Sequence, residues 1–171
     1  MKITLRAMHE DEFEAYKEYF IGDYAQEIMD NYGHSNLVAI KMAKEAINAS
    51  FPNGISSDNS SLLSIDLIEN SPQENELTDV NIVERAQLAG YLWRIINEKD
   101  NSCFISDFYI LPSMRSKGLG KLAILELEKE LKVAGLQQIK LRVAYQNVRA
   151  TQLYKALGFN ITGINMSKLL T

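Results

Sequence analysis

Residues 115–121 read Arg115-Ser116-Lys117-Gly118-Leu119-Gly120-Lys121, three cations and two glycines in seven positions. They follow a strand-like run over 103–111, stopped by Pro112, and they open a helical run. That pattern suits phosphate. The first turn of a helix leaves about four backbone N–H groups without partners, and aligned peptide dipoles place roughly half a positive charge there. Glycines let an anion approach that backbone closely. Three phosphate motifs compete for the segment. Walker A requires GxxxxGK[ST]; Arg115 stands where its first glycine belongs and Leu122 follows Lys121, so it fails. Gly118-x-Gly120-x-x-Ala123 fits the looser dinucleotide pattern. That fingerprint, however, wants its first glycine directly after the strand and an acid about twenty residues on. Residues 112–117 intervene, and Val143-Ala144-Tyr145-Gln146-Asn147 offers no acid. The third, Arg-x-x-Gly-x-Gly, is matched in full by residues 115–120.

Downstream lies a second pattern, Asn147-x-x-Ala150-x-x-x-Tyr154-x-x-x-Gly158-Phe159. Taken alone, Asn147 would cap a helix in any protein, and Tyr154 sits on an apolar stripe with Ala150, Leu153 and Leu157. Together, in this order and with one helix and one strand between them, the two motifs resemble the GNAT family of N-acetyltransferases. The close resemblance covers about 86–160. It implies that the turn formed by Arg115, Ser116, Lys117, Gly118, Leu119, Gly120 and Lys121 holds the pyrophosphate of acetyl-CoA, a co-substrate. It implies that Asn147, Ala150 and Tyr154 line the other side of that molecule. Backbone groups at Phe108, Tyr109 and Ile110 would hold the pantetheine and polarise the thioester carbonyl.

The reaction so implied is direct acetyl transfer to an amine. An amine of pKa near 10.4 keeps its proton at pH 7, and removing it costs about 4.6 kcal/mol, so a base is needed. The departing thiolate takes a proton from an acid, a role the resemblance gives to Tyr154. Ser106-Asp107-Phe108-Tyr109-Ile110 is similar to the Glu-Asp-Phe-Phe-Val strand of the diamine acetyltransferases. Here Ser106 replaces the glutamate proposed there as base. Asp107 remains a second catalytic candidate, although successive strand residues point to opposite faces. A non-catalytic acyl-CoA binder or sensor of the same fold is the alternative reading, and a nicotinamide-dependent enzyme a distant third.

The elements that must position these residues follow from hydrophobic spacing. Residues 2–6 alternate as a strand. Phe13, Tyr16, Phe20, Tyr24 and Ile28 mark a helix ended by Gly33. Leu37, Ile40, Ala43 and Ile47 mark a second, with Ser35 as its cap. Phe51-Pro52-Asn53-Gly54 reads as a break and 56–61 as a polar loop. Strands are expected at 62–68, 88–96 and 103–111, with 69–78 a long excursion and 97–101 a hairpin turn. A helix over 119–134 carries Leu119, Ala123, Leu127 and Leu131, with Glu128 and Lys132 paired on its surface and Gly135 at its C-terminal end. A strand at 139–143, a helix at 147–157 and one or two short strands after Phe159 complete the chain. The expected fold is α/β (α+β). It is a mixed central sheet of six to seven strands in the order β-α-α-β-β-β-α-β-α-β, with helices on both faces. All 171 residues form one domain, with acceptor-side helices at about 10–52 and the acetyl-CoA core at about 86–160.

Composition sets the limits. Apolar residues are 46% and charged residues 23%, ordinary for a globular domain. Eighteen Lys+Arg against 22 Asp+Glu leave −4, which argues against nucleic acid or a membrane surface as partner. The single cysteine, Cys103, fits a reducing, cytoplasmic location. His9 and His34 are isolated, so no metal site is expected. The net charge conceals an asymmetry. Residues 1–34 hold three cations against eight carboxylates, whereas 115–142 hold seven cations against three. The resemblance implies that residues 10–52 form the acceptor wall, and an acidic wall there would favour a cationic small-molecule or peptide amine. A homodimer is compatible with the resemblance.

Overall fold

The computed structural model describes residues 1–55, 60–74, 80–166 and 168, with backbone alone at 70–74 and 80–84. The elements run β1 (Lys2–Ala7), α1 (Glu10–Tyr32), α2 (Asn36–Ser50), β2 (Pro52–Ile55), β3 (Ser60–Glu74), β4 (Val80–Asn97), β5 (Ser102–Ile110), a 3-10 turn (Pro112–Met114), α3 (Leu119–Val133), β6 (Gln138–Leu141) and α4 (Val148–Ala156). Two compact units result. One comprises Met1–His9 with Ser57–Arg142, the other Glu10–Ser56 with Val143–Thr171.

The first unit is built on a five-stranded sheet in the order β1-β3-β4-β5-β6. All pairs are antiparallel except β5 with β6. Six consecutive residues of β3, Leu62, Leu63, Ser64, Ile65, Asp66 and Leu67, are buried, so both faces of this strand are withdrawn from water. Asp66 is accommodated by an ion pair with Arg6 of the neighbouring strand, Nε to Oδ2 at 2.7 Å. Helix α3 packs on β1 and β5 through Leu119, Ala123, Ile124, Leu127 and Leu131. Each buried leucine contributes about 1.5–3 kcal/mol, and Leu127→Ala would remove the most central of them. Gly135 ends the helix at φ +82. Its N–H reaches Lys132 O at 3.1 Å and Leu136 N–H reaches Leu131 O at 2.9 Å, satisfying carbonyls the helix leaves open.

In the second unit α1 and α2 pack through Ala25, Ile28, Ala39 and Ala43, with Ile21, Tyr24, Met29 and Ile40 around them. The three alanines carry only a methyl and let the helices approach closely. Phe13 meets Phe51 edge-on at 5.8 Å. Ser35 occupies the N-cap of α2 but makes no side-chain capping bond. Leu37, expected on the buried stripe, is 81% exposed, because the packed face runs through Ala39, Ala43 and Ile47.

Several expectations are corrected. The sheet has five strands, not six or seven, and the order is β-α-α-β-β-β-β-α-β-α. Residues 159–166 form no strand; Ile161, Ile164 and Met166 lie exposed there, so no buried face selects an extended register. The remainder of that expected strand region, 167 and 169–171, lies outside the described residues. The expected break at 51–54 contains strand β2. Its proline is the first strand residue, where a missing N–H is tolerated. The expected loop at 56–61 falls partly outside the described residues and partly within β3. The excursion at 69–78 is largely strand. Pairs from Glu69↔Arg85 to Glu74↔Val80 prolong the β3–β4 hairpin, while 75–79 lie outside the described residues. Backbone ladders need no apolar alternation, which is why polar residues concealed it. Pro72 fits because β1 pairs with β3 only as far as Ile68, leaving one side of β3 an edge.

Candidate active site

Strand β5 is paired on both sides only at its start. Its parallel register with β6 runs from Ser102↔Gln138 to Ile105↔Leu141 and stops. Beyond that, the ladder to β4 continues through Ile110 while the ladder to β6 has ended. The β4–β5 register shifts between Trp93 and Arg94, which pair with Asp107 and Ile105, so Ser106 is the extra residue of a bulge. The bulge removes the strict alternation expected across Ser106 and Asp107. Asp107 lies opposite Trp93 and Tyr109 opposite Tyr91, while Phe108 and Ile110 lie opposite Leu92 and Gly90. Cross-strand partners share a face, so Asp107 and Tyr109 share theirs with Trp93 and Tyr91.

Gly90 brings the two backbones unusually close. A Cβ built there would sit 2.0 Å from the Tyr109 carbonyl oxygen. The approach is locked next door by Leu111 N–H donating to Ala89 O at 2.9 Å. Strand β5 therefore delivers Phe108, Tyr109 and Ile110 at a fixed height to the turn that follows.

That turn is built from special backbone geometry. Buried Met114 pins the 3-10 turn, with its N–H on Leu111 O at 2.8 Å. Ser116 then takes φ +63, and Gly118, at φ +77, is the N-cap of α3. No side chain caps this helix. Arg115, Ser116, Lys117, Gly118 and Lys121 are exposed, Gly120 is half-buried, and Leu119 is buried as the anchor. A Cβ on Gly118 would meet nothing within 4 Å, so the space over the turn is open. Lys117 Nζ rests 3.7 Å from Met114 Sδ. Arg115 donates from Nε to Ile110 O at 2.9 Å, and its guanidinium lies 5.2 Å from the Tyr109 ring centre. Uncapped helical N–H groups, open space and three exposed cations fit a pyrophosphate.

In the second unit, Asn147 caps α4, its Oδ1 accepting from Ala150 N–H at 3.0 Å. The structural role foreseen for Asn147 is thus filled, and its Nδ2 keeps donor capacity. Tyr154 is 8% exposed, with its ring edge-on to Phe159 at 5.4 Å. Its carbonyl accepts from Phe159 N–H at 3.0 Å, a return made possible by Gly158 at φ +89.

One strand–turn–helix therefore gathers Asp107, Phe108, Tyr109, Ile110 and 115–121, while Asn147, Ala150 and Tyr154 share α4. Two contributors escaped the sequence reading. Gly90 carried a signal, a glycine inside a strand pattern, which marks close backbone approach. The bulge at Ser106 carried none. The acidic residues Glu10, Asp11 and Glu12 prove to be the first turn of α1, where carboxylates offset the helix dipole.

A strand that parts from its parallel neighbour and ends at an uncapped helix with exposed cations is an arrangement that suits a phosphate-bearing ligand. The chain belongs to the acetyltransferase (GNAT) family, whose model matches residues 40–159, and it is an acetyl-CoA-dependent N-acetyltransferase. YdgE of Bacillus subtilis (strain 168), described as an uncharacterized N-acetyltransferase, is 26% identical over 172 residues, 99% of each chain. YycN of the same organism, also described so, is 28% identical over 99% of this chain and 100% of its own. The crystal structure of YycN superposes with a TM-score of 0.82, covering 99% of both chains. A spermidine N-acetyltransferase of Vibrio cholerae, crystallised with CoA and spermine, shares the fold at TM-score 0.59 and 20% identity, over 95% of this chain and 83% of that one. No helix among the described residues is long and apolar enough to cross a membrane.

Proposed function

We propose that this enzyme transfers acetyl from acetyl-CoA to the primary amine of a cationic small molecule or peptide, with residues 1–171 acting as a single acetyltransferase domain. The observation that carries the cofactor half is the run from the half-paired end of β5 into the uncapped, basic N-terminus of α3. In this reading Arg115, Ser116, Lys117, Gly118, Leu119, Gly120 and Lys121 hold the pyrophosphate, with Asn147 and Ala150 also lining the cofactor. Backbone groups of Phe108, Tyr109 and Ile110, past the end of the β6 ladder, hold the pantetheine and stabilise charge developing on the carbonyl. The ammonium acceptor first loses a proton to water, and the neutral amine attacks that carbon. The C–S bond breaks as the phenol of Tyr154 gives its proton to the thiolate, and the second proton shed by the nitrogen restores the phenol through water. Asp107 attracts the ammonium form of the acceptor and favours its approach. The reaction consumes no metal or redox equivalent. It takes place in the cytoplasm.

The acidic balance of residues 1–34 supports a cationic acceptor, as does the spermine in the Vibrio cholerae structure. A thiol-release assay with acetyl-CoA tests this across diamines, polyamines, basic peptides, neutral amines and amino acids. The proposal expects the highest kcat/KM on di- and polyamines or basic peptides. Turnover confined to neutral or acidic acceptors would overturn the acceptor class. CoA binding without turnover on any amine would favour a binder instead.

A further inference from the structure

We infer that Tyr109 is a positioning residue for Arg115, holding its guanidinium ready for the cofactor's phosphates; this rests on reading residues 115–121 as the acetyl-CoA phosphate site. Arg115 is an exposed side chain, and an exposed arginine normally samples many rotamers. Here two groups from the end of β5 hold it. The Tyr109 ring lies 5.2 Å from the guanidinium carbon, and the Ile110 carbonyl accepts from Nε at 2.9 Å. With Nε occupied, the Nη1 and Nη2 donors remain for an anion.

The platform itself is fixed. Tyr109 pairs with Tyr91 across the ladder, and its carbonyl lies where any side chain at Gly90 would collide. Arg115 is further constrained by its own N–H, which donates to Pro112 O at 3.3 Å. Preorganisation of this kind lowers the ordering cost of binding. Lysine could supply the charge of Arg115 but neither the planar stack nor the Nε donor.

A double-mutant cycle on CoA affinity, read by titration calorimetry with melting curves as a fold control, tests the inference. Tyr109→Leu should weaken CoA about 2- to 5-fold, the size of an exposed cation–π contact, and Tyr109→Phe should restore it. In an Arg115→Ala background the Tyr109→Leu change should have no further effect. Additive losses, unchanged affinity in Tyr109→Leu, or equal losses in Phe and Leu would each overturn the inference. Should Tyr109→Leu fail to fold, Arg115→Lys tests the same claim from the other partner. It should bind CoA about 2- to 5-fold less tightly, and wild-type affinity would overturn the positioning role. Unchanged CoA binding in Arg115→Ala would instead refute the phosphate reading of the turn.

Discussion

Replacing Gly90 with alanine adds one methyl group, and the structure states where it must go. The new Cβ would lie 2.0 Å from Tyr109 O and 3.1 Å from Ile110 Cα, both backbone atoms that cannot rotate aside. Separations under 3.0 Å are essentially never seen for a Cβ, so β4 and β5 must part by about 1 Å or more. That movement disrupts the Gly90↔Ile110 pair and the Leu111 N–H to Ala89 O bond. At about 1 kcal/mol per hydrogen bond, with strain added, the loss is about 2–4 kcal/mol. Gly118→Ala is the control. Its Cβ would meet nothing within 4 Å, so it carries only the left-handed backbone penalty of about 1–2 kcal/mol. Urea unfolding can be followed by the fluorescence of Trp93, the chain's one tryptophan, which is buried opposite Asp107. A misplacement near 1 Å at the reacting strand should also lower kcat/KM about 10²-fold. Wild-type stability and turnover in Gly90→Ala would refute the claim that this close approach sets the height of β5.

Other outcomes follow from single groups. Tyr154→Phe removes only the phenolic proton and should lower kcat with the best amine about 10²-fold, measured by thiol release under saturation; unchanged kcat would exclude Tyr154 as the acid. Asp100 is held below the ordinary carboxylate value of 3.8, first by the Lys140 hydrogen bond and then by that from Ser102. Its stabilisation is therefore full above that value and lost as pH falls through the lowered one. Asp100→Asn should be less stable than wild type at pH 7, with the gap closing as pH falls below 3.8, as chemical unfolding at several pH values would show. Cys103 is buried, and burial pushes its thiol up to about 11. It should resist thiol reagents at pH 8 in the native protein and react after unfolding, as mass measurement would show.

The legible parts of this fold were those where burial imposes a period on the sequence. Helix α3 announced itself through Leu119, Ala123, Leu127 and Leu131, all of which are buried. The glycine turn before α3 was legible because Gly118 has a backbone demand that shows as residue type, and φ +77 meets it. Ser116 makes a similar demand at φ +63 without a glycine, and so left no trace. The β3–β4 extension past Ile68 was hidden because its ladder asks nothing of side-chain polarity. Residues 159–166 failed the other way. The stretch after Phe159 left room for one or two short strands, yet Ile161, Ile164 and Met166 are exposed and no buried face holds 159–166 in one. The pairing of Tyr109 with Arg115 spans a strand end and a turn, and no periodicity encodes it.

Amide hydrogen exchange with and without CoA addresses the central claim, that the end of β5 and the start of α3 form the acetyl-CoA site. The account predicts added protection at residues 108–121, strongest at the Gly118–Lys121 amides that no side chain caps, and its loss in Arg115→Ala. Protection by CoA elsewhere in the chain, with 108–121 unchanged, would contradict it.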